Sequence, residues 1–105
     1  MTKPWQTLDA AAVAQLPGQL GVFQFADAAG EIVFIGCADA RSRFGLRSAL
    51  EEAWRACEGA TAYRIEVTTA YTTRHLELLM AYQAALGRLP VYNTKVPALG
   101  RLSPG

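Results

Sequence analysis

Residues that bind metals or form disulfides are scarce in this chain. Its 105 residues include one histidine and two cysteines, and Cys37 and Cys57 do not form a Cys-x-x-Cys motif. A structural zinc site needs about four such ligands, so the composition argues against one. We expect two reduced thiols, as in cytosolic proteins, and no resident cofactor.

The chain also has little net charge and no long apolar run. Its formal net charge is +1, so the overall charge gives no sign of a nucleic-acid partner. No stretch of about 18 apolar residues occurs that could cross a membrane. The first residues, MTKPWQTLDA, lack the apolar core of a signal peptide. We therefore expect a cytoplasmic protein with no membrane partner.

The apolar content is sufficient for one folded domain. Hydrophobic residues make up 51% of the chain, which is typical of a globular protein. We expect a single domain over residues 1–105, with an extended tail over residues 94–105, where two prolines occur and no helical pattern is present. Eight of the ten cationic residues are arginine. The planar guanidinium group of arginine suits phosphate and carboxylate groups. GC-rich coding also raises the arginine content of a protein.

Hydrophobic patterning predicts an α+β domain with a small three-stranded antiparallel sheet flanked by helices. Two strands, over residues 21–27 and 31–37, flank a turn that contains Gly30 and are predicted to form a hairpin. The alternating segment 62–68 predicts the third strand.

Two helical segments are predicted before the third strand. A short helix is expected over residues 7–16, with Thr7 or Asp9 as its N-terminal cap. Residues 41–58 have helical character, but Gly45 weakens the early part. That segment is either one kinked helix or a loop followed by a shorter helix, and the pattern alone does not choose between them.

The strongest helical pattern lies near the end of the chain. It starts at Thr72 or Thr73, runs to Leu86 and is stopped by Gly87. Apolar residues occur on more than one side of this helix, which indicates burial or contact with another molecule. We therefore consider a homo-oligomer formed through residues 73–86, or a ligand pocket.

Four short motifs match, in order, those of a known family. They are Leu16-Pro17-Gly18, Gly21-Val22-Phe23, Phe34-Ile35-Gly36 and Pro90-Val91-Tyr92-Asn93. Asp27 and Gly30 flank the turn between the second and third motifs. Arg43, or alternatively Arg41, follows the third motif. Over residues 16–93 the chain thus resembles the GIY-YIG nuclease superfamily, including the N-terminal nuclease domain of bacterial excision-repair endonucleases, and a GIY-YIG-like fold is implied.

The resemblance also implies a catalytic site, and several of its positions have lost their polar groups. In active members, two tyrosines, an arginine early in the next helix and a metal-binding glutamate cut a phosphodiester bond with Mg²⁺ or Mn²⁺. The tyrosine positions hold Phe23 and Phe34, which have no hydroxyl group, and the glutamate position falls on Ala81. Arg43 and Asn93 remain. We therefore expect a vestigial, catalytically degenerate site.

Two nearby residues offer an alternative. Glu77 lies one helical turn before Ala81 and could hold a metal ion in a shifted site. His75 has an ordinary pKa near neutrality and could act as a base. The simpler interpretations are a solvated carboxylate and a polar residue in the first helical turn.

Three functions follow from these observations. The first is a non-catalytic module that binds nucleic acid through an arginine series formed by Arg41, Arg43 and Arg47, with Arg55 as a further member. The low net charge and the acidic pair Glu51-Glu52 argue against strong binding. The second is a divergent metal-dependent endonuclease. The third is a scaffold or small-ligand module with an apolar pocket at the former active site.

Overall fold

A four-stranded antiparallel sheet lies at the centre of the structure, a computed structural model that describes residues 1–95. Its strands stand in the order β1-β4-β2-β3, and helices pack on both faces. The α+β class is confirmed, and the sheet has four strands where three were expected. The elements, in chain order, are β1 (Gln6–Thr7), α1 (Ala10–Ala14), β2 (Gly21–Ala26), β3 (Ile32–Ala38), α2 (Leu46–Ala56), β4 (Ala62–Val67), α3 (Tyr71–Leu86) and α4 (Val91–Lys95).

The additional strand is β1, which replaces the start of the helix expected over residues 7–16. Gln6 and Thr7 pair with the first residues of β4. α1 begins only at Ala10, after Asp9, whose carboxylate accepts a hydrogen bond from the Ala12 amide at 2.8 Å. A two-residue strand has no periodicity to detect, because its pairing partner lies more than fifty residues away.

An arginine fixes the chain just before β1. The Arg64 guanidinium lies 4.1 Å from the centroid of the Trp5 ring, within cation–π range. Its Nε donates to Oε1 of the buried Gln24 at 2.6 Å. This bond gives Gln24 a polar partner inside the sheet.

The hairpin of β2 and β3 has the predicted position. Its turn is held by the Asp27 carboxylate, which accepts hydrogen bonds from the amides of Ala29 and Glu31, both at 3.0 Å. Phe25 stands opposite Phe34, and the register shifts by an irregularity just after Phe25. Every residue of β2 is buried, as expected for a central strand covered on both faces.

Alternation along the strands divides the interior into two clusters. The larger cluster lies on the side of α1 and α2, and its members include Val13, Phe23, Phe25, Phe34, Leu46 and Leu50. The smaller cluster lies on the side of α3 and contains Val22, Ile35, Leu78 and Tyr82.

α2 is a shorter helix preceded by a loop, which settles the alternative left open over residues 41–58. Gly45 precedes the helix with a φ of +57°. A Cβ atom at this position would collide with the backbone of Gln19 and Gly18. The loop therefore needs glycine here, and Arg43 lies in the loop and not in the helix, where the family resemblance had placed it.

The C-terminal helices differ from expectation at their boundaries. α3 begins at Tyr71 and, as predicted, ends at Leu86. Gly87 caps it, and its left-handed backbone is typical of the residue that follows a helix. α4 continues through Thr94 and Lys95, which were expected in an extended tail, and the rest of that tail lies outside the described residues. Within residues 1–95 no helix combines the length and apolarity needed to span a membrane.

Candidate functional site

The two phenylalanines at the positions that the family resemblance assigns to tyrosine are core residues. Phe23 and Phe34 are 2% and 3% exposed, and their ring centroids lie 5.9 Å apart. Both rings also contact Phe25, at 5.4 and 6.0 Å. A Cβ atom at Gly36 would lie 2.5 Å from Cζ of Phe23 and 2.7 Å from Cε2 of Phe34. The glycine of the Phe-Ile-Gly motif is thus required by the two rings that cover it.

Asn93 and His75 meet at one residue on the outer edge of the sheet. β3 is an edge strand, and Ile35 directs its backbone N–H and C=O away from β2. The Asn93 side chain accepts from this N–H and donates to this C=O, both at 2.9 Å. The His75 Nε2 donates to the same carbonyl at 3.1 Å. Asn93 therefore pairs with the edge as a neighbouring strand would, and it joins α4 to the sheet.

The environment of His75 favours its neutral form. Burial lowers the pKa of the imidazole, and the hydrogen bond to the Ile35 carbonyl opposes this only in part. Because Nε2 carries the proton that binds a carbonyl, Nδ1 is the unprotonated nitrogen of the neutral ring. His75 thus has a structural contact that its position in the sequence did not indicate.

Glu77 belongs to a surface ion-pair network. Its carboxylate lies 3.3 Å from Nη1 of Arg74. Arg74 also binds both carboxylate oxygens of Glu66, at 2.9 and 3.1 Å, and these bonds, led by Glu66, raise the pKa of Arg74. Ala81, further along α3, is exposed.

The residues of the expected catalytic site therefore lie in separate environments. Phe23 and Phe34 face the α2 side of the sheet, whereas Ala81 is on α3, which packs on the opposite side. Asn93 lies at the β3 edge, and Arg43 lies in the exposed loop before α2. In the part of the chain that the structure describes, no three His, Cys, Asp or Glu side chains group as metal ligands.

Both cysteines are free thiols. Cys57 is fully buried, and burial raises its pKa to about 12. Burial, with a smaller contribution from Asp39, also raises the pKa of Cys37. Neither environment favours a reactive thiolate at neutral pH.

Two of the predicted arginines flank an exposed aromatic ring that the sequence analysis did not single out. Phe44 is 48% exposed. The guanidinium carbons of Arg43 and Arg47 lie 5.6 and 4.9 Å from its centroid. The third arginine of the series, Arg41, instead pairs with Asp39 at 3.1 Å. Of the three, only Arg43 and Arg47 are thus held beside an aromatic face.

A groove of about 520 Å³ lies next to this ring, between α1 and α2. We call it the α1–α2 groove. On α1 its lining consists of small side chains, namely Ala10, Val13 and Ala14. Beyond Phe44, the lining continues along one face of α2, with Arg47, Ser48, Glu51, Trp54 and Arg55. Glu51 lies three or four residues from each of the other four, a helical spacing that the sequence shows, whereas the opposing alanines on α1 could not be read from it.

Comparison with known proteins assigns a family. No curated protein matches the chain. A family model described as a domain of unknown function, DUF7508, matches residues 1–85, which include all four strands and the residues that line the α1–α2 groove. The chain therefore belongs to the DUF7508 family.

Proposed function

We propose that this chain is a non-catalytic module of GIY-YIG-like fold that binds nucleic acid through the loop before α2. One observation carries the proposal: the exposed Phe44 ring lies against the guanidinium groups of Arg43 and Arg47. Phe44 is 48% exposed, and exposed aromatic side chains can stack on nucleic-acid bases while neighbouring arginines bind the phosphates.

The charges around this loop leave the two arginines available. Among the described residues, neither Arg43 nor Arg47 forms an ion pair, whereas Arg41 is paired with Asp39. The net charge of +1 provides little long-range attraction. We therefore expect weak and salt-sensitive binding, with dissociation constants on the order of 1–100 µM at low salt.

The state of the former catalytic positions supports a function without cleavage. Phe23 and Phe34 are buried in the larger cluster, and neither side chain has a hydroxyl group that could orient a water molecule. Glu77 is engaged by Arg74. These contacts favour binding over phosphodiester hydrolysis.

Fluorescence polarisation with labelled DNA and RNA, in the presence of a chelator, tests the binding. We expect affinity to fall as salt rises from about 50 to about 200 mM. Arg43→Ala and Arg47→Ala should each weaken binding several-fold. Arg88→Ala is the matched control, because Arg88 also lies over an aromatic ring, that of Tyr82, at 5.9 Å, but does not line the α1–α2 groove. Absence of salt-sensitive binding below about 100 µM, or an equal loss in Arg88→Ala, contradicts the proposal.

The same substrates test the alternative of a divergent endonuclease. They are incubated with Mg²⁺ or Mn²⁺ and analysed for cleavage products. We expect none. Cleavage that disappears in both Arg43→Ala and Glu77→Ala would replace the binding proposal with a metal-dependent nuclease.

A further inference from the structure

The α1–α2 groove suggests which form of nucleic acid the loop binds. We infer that the groove holds one unpaired base of a single strand, stacked against the aromatic side chains at its surface, while the phosphates on either side contact the arginines. This inference rests on the proposed function and adds the substrate class to it.

The size and lining of the groove fit a planar ligand. Its volume of about 520 Å³ is within the range of small-ligand sites. Two aromatic residues, Phe44 and Trp54, line it, and both have part of their surface accessible. Stacking on aromatic side chains needs a base that is out of a duplex, because the faces of paired bases are covered by their neighbours. The lining therefore favours a single strand.

The distribution of charge along the groove favours a nucleotide over an acidic peptide. Glu51 lies one helical turn from Arg47 on one side and one turn from Arg55 on the other. Within residues 1–95 its carboxylate forms no ion pair with either. The base of a nucleotide offers N–H donors to a carboxylate. The negative charge of the nucleotide lies outside the groove, on the phosphates. An acidic side chain entering the groove would instead meet the Glu51 carboxylate.

The backbone that carries Phe44 is held in place before any ligand binds. The Phe44 amide donates a hydrogen bond to the Ser48 Oγ at 3.1 Å. The start of α2 is fixed by the Leu46 amide, which donates to the Gln19 carbonyl at 2.8 Å. Gly45 permits the sharp bend between them. A preformed platform loses less conformational entropy on binding than a mobile loop.

Tryptophan fluorescence tests whether the ligand reaches the groove. The chain has two tryptophans, so Trp5→Phe leaves Trp54 as the only source of tryptophan fluorescence. We expect a single-stranded oligonucleotide to change the Trp54 emission with the same midpoint as its polarisation curve. The duplex of the same sequence should bind about tenfold more weakly, the loss expected when one base–aromatic stack is missing.

A groove-filling variant gives a second, independent test. Ala14→Leu adds bulk inside the groove and removes no charge, so single-strand affinity should fall about tenfold while duplex affinity stays constant. Ala11→Leu is the matched control, because Ala11 is on the same helix, is exposed and does not line the groove. It should bind like the parent chain.

The outcomes separate this inference from the proposed function. If no salt-sensitive binding occurs at all, the proposed function fails. If binding occurs but single strand and duplex bind equally, or Ala14→Leu and Ala11→Leu behave alike, the proposed function stands and the inference is overturned. A polyglutamate peptide that changes the Trp54 emission and competes with the single strand also overturns it, in favour of an acidic protein partner.

Discussion

At the scale of single residues, the hairpin phenylalanines have a packing role in the core. The rings of Phe23 and Phe34 cover Gly36 and fill the space below α2. An apolar ring meets this requirement without help from a hydroxyl group. The absence of a hydroxyl group at positions 23 and 34 therefore agrees with the packing of this core.

Restoring a hydroxyl should cost stability. Phe34→Tyr would place a polar group in an apolar cluster, so we expect the free energy of unfolding to fall by about 1–3 kcal/mol. Urea unfolding measures the change. Phe44→Tyr is the control, because its ring is exposed and its substitution should stay within about 0.5 kcal/mol. A Phe34→Tyr variant as stable as the parent would show that the core contains a partner for the hydroxyl.

Gly45 should be far less tolerant of a side chain than Gly30. Both have positive φ, +57° and +85°. Gly30→Ala meets no neighbouring atoms and should lose only about 1–2 kcal/mol through backbone strain. Gly45→Ala adds a collision with the Gln19 and Gly18 backbone, so its loss of stability should be larger. Equal losses, measured by thermal or urea unfolding, would mean that the loop relaxes freely.

At the scale of elements, the outer edge of β3 is one of the contacts that join the C-terminal part of the fold to the sheet. Asn93 on α4 and His75 on α3 both bind the backbone of Ile35. Edge strands leave backbone groups without partners, and natural proteins cover them. Here side chains from two helices do so.

Removing the amide of Asn93 should weaken the attachment of α4 to the sheet. Asn93→Ala leaves the Ile35 N–H without its partner, and we expect a loss of about 1–3 kcal/mol. Hydrogen exchange of the Ile35 amide should become faster as well. Thr94→Ala is the matched control, because Thr94 is exposed and, within residues 1–95, its side chain bonds only to the Val91 carbonyl of the same helix. Similar exchange rates in both variants would argue against this role.

The contact between His75 and β3 should make stability depend on pH. Because burial lowers its pKa in the folded state, the unfolded chain binds the proton more tightly. The contribution of His75 to stability should therefore be constant above its unfolded pKa of about 6.5 and fall as the pH drops below it. Urea unfolding between about pH 5 and 7.5 measures this slope. The chain has one histidine, so His75→Gln should reduce the slope in this window. The N-terminal amine, whose pKa is also lowered by burial, contributes the remainder, and an unchanged slope would assign all of it to groups other than His75.

At the scale of the whole molecule, the outer side of α3 remains the surface for the expected self-association. Leu76, Met80 and Leu86 are exposed on this helix. The contact with a second copy stays a prediction, as do the GIY-YIG resemblance and the binding function. Sedimentation velocity over a range of protein concentrations should show self-association.

Met80→Lys should shift that equilibrium towards the monomer, because it places a charge in the apolar contact. Ala81→Lys adds the same charge at an exposed position on another side of α3 and should have a smaller effect. A chain that sediments as a monomer at every concentration would contradict the contact.

The sequence by itself determined the elements whose signals are local. The hairpin with Asp27 and Gly30 in its turn, the third long strand, and the end of α3 at Gly87 were all predicted, since each depends on neighbouring residues. That positions 23, 34 and 81 hold phenylalanine, phenylalanine and alanine is likewise a matter of residue identity.

Only the tertiary structure decided which residues meet across the fold. β1 exists because Gln6 and Thr7 pair with β4, and Asn93 is placed by the edge of β3. The α1–α2 groove exists because small side chains of one helix face the aromatic and charged side chains of another. Such contacts join segments far apart in the chain and leave no periodic signal, so packing determines them and local sequence does not.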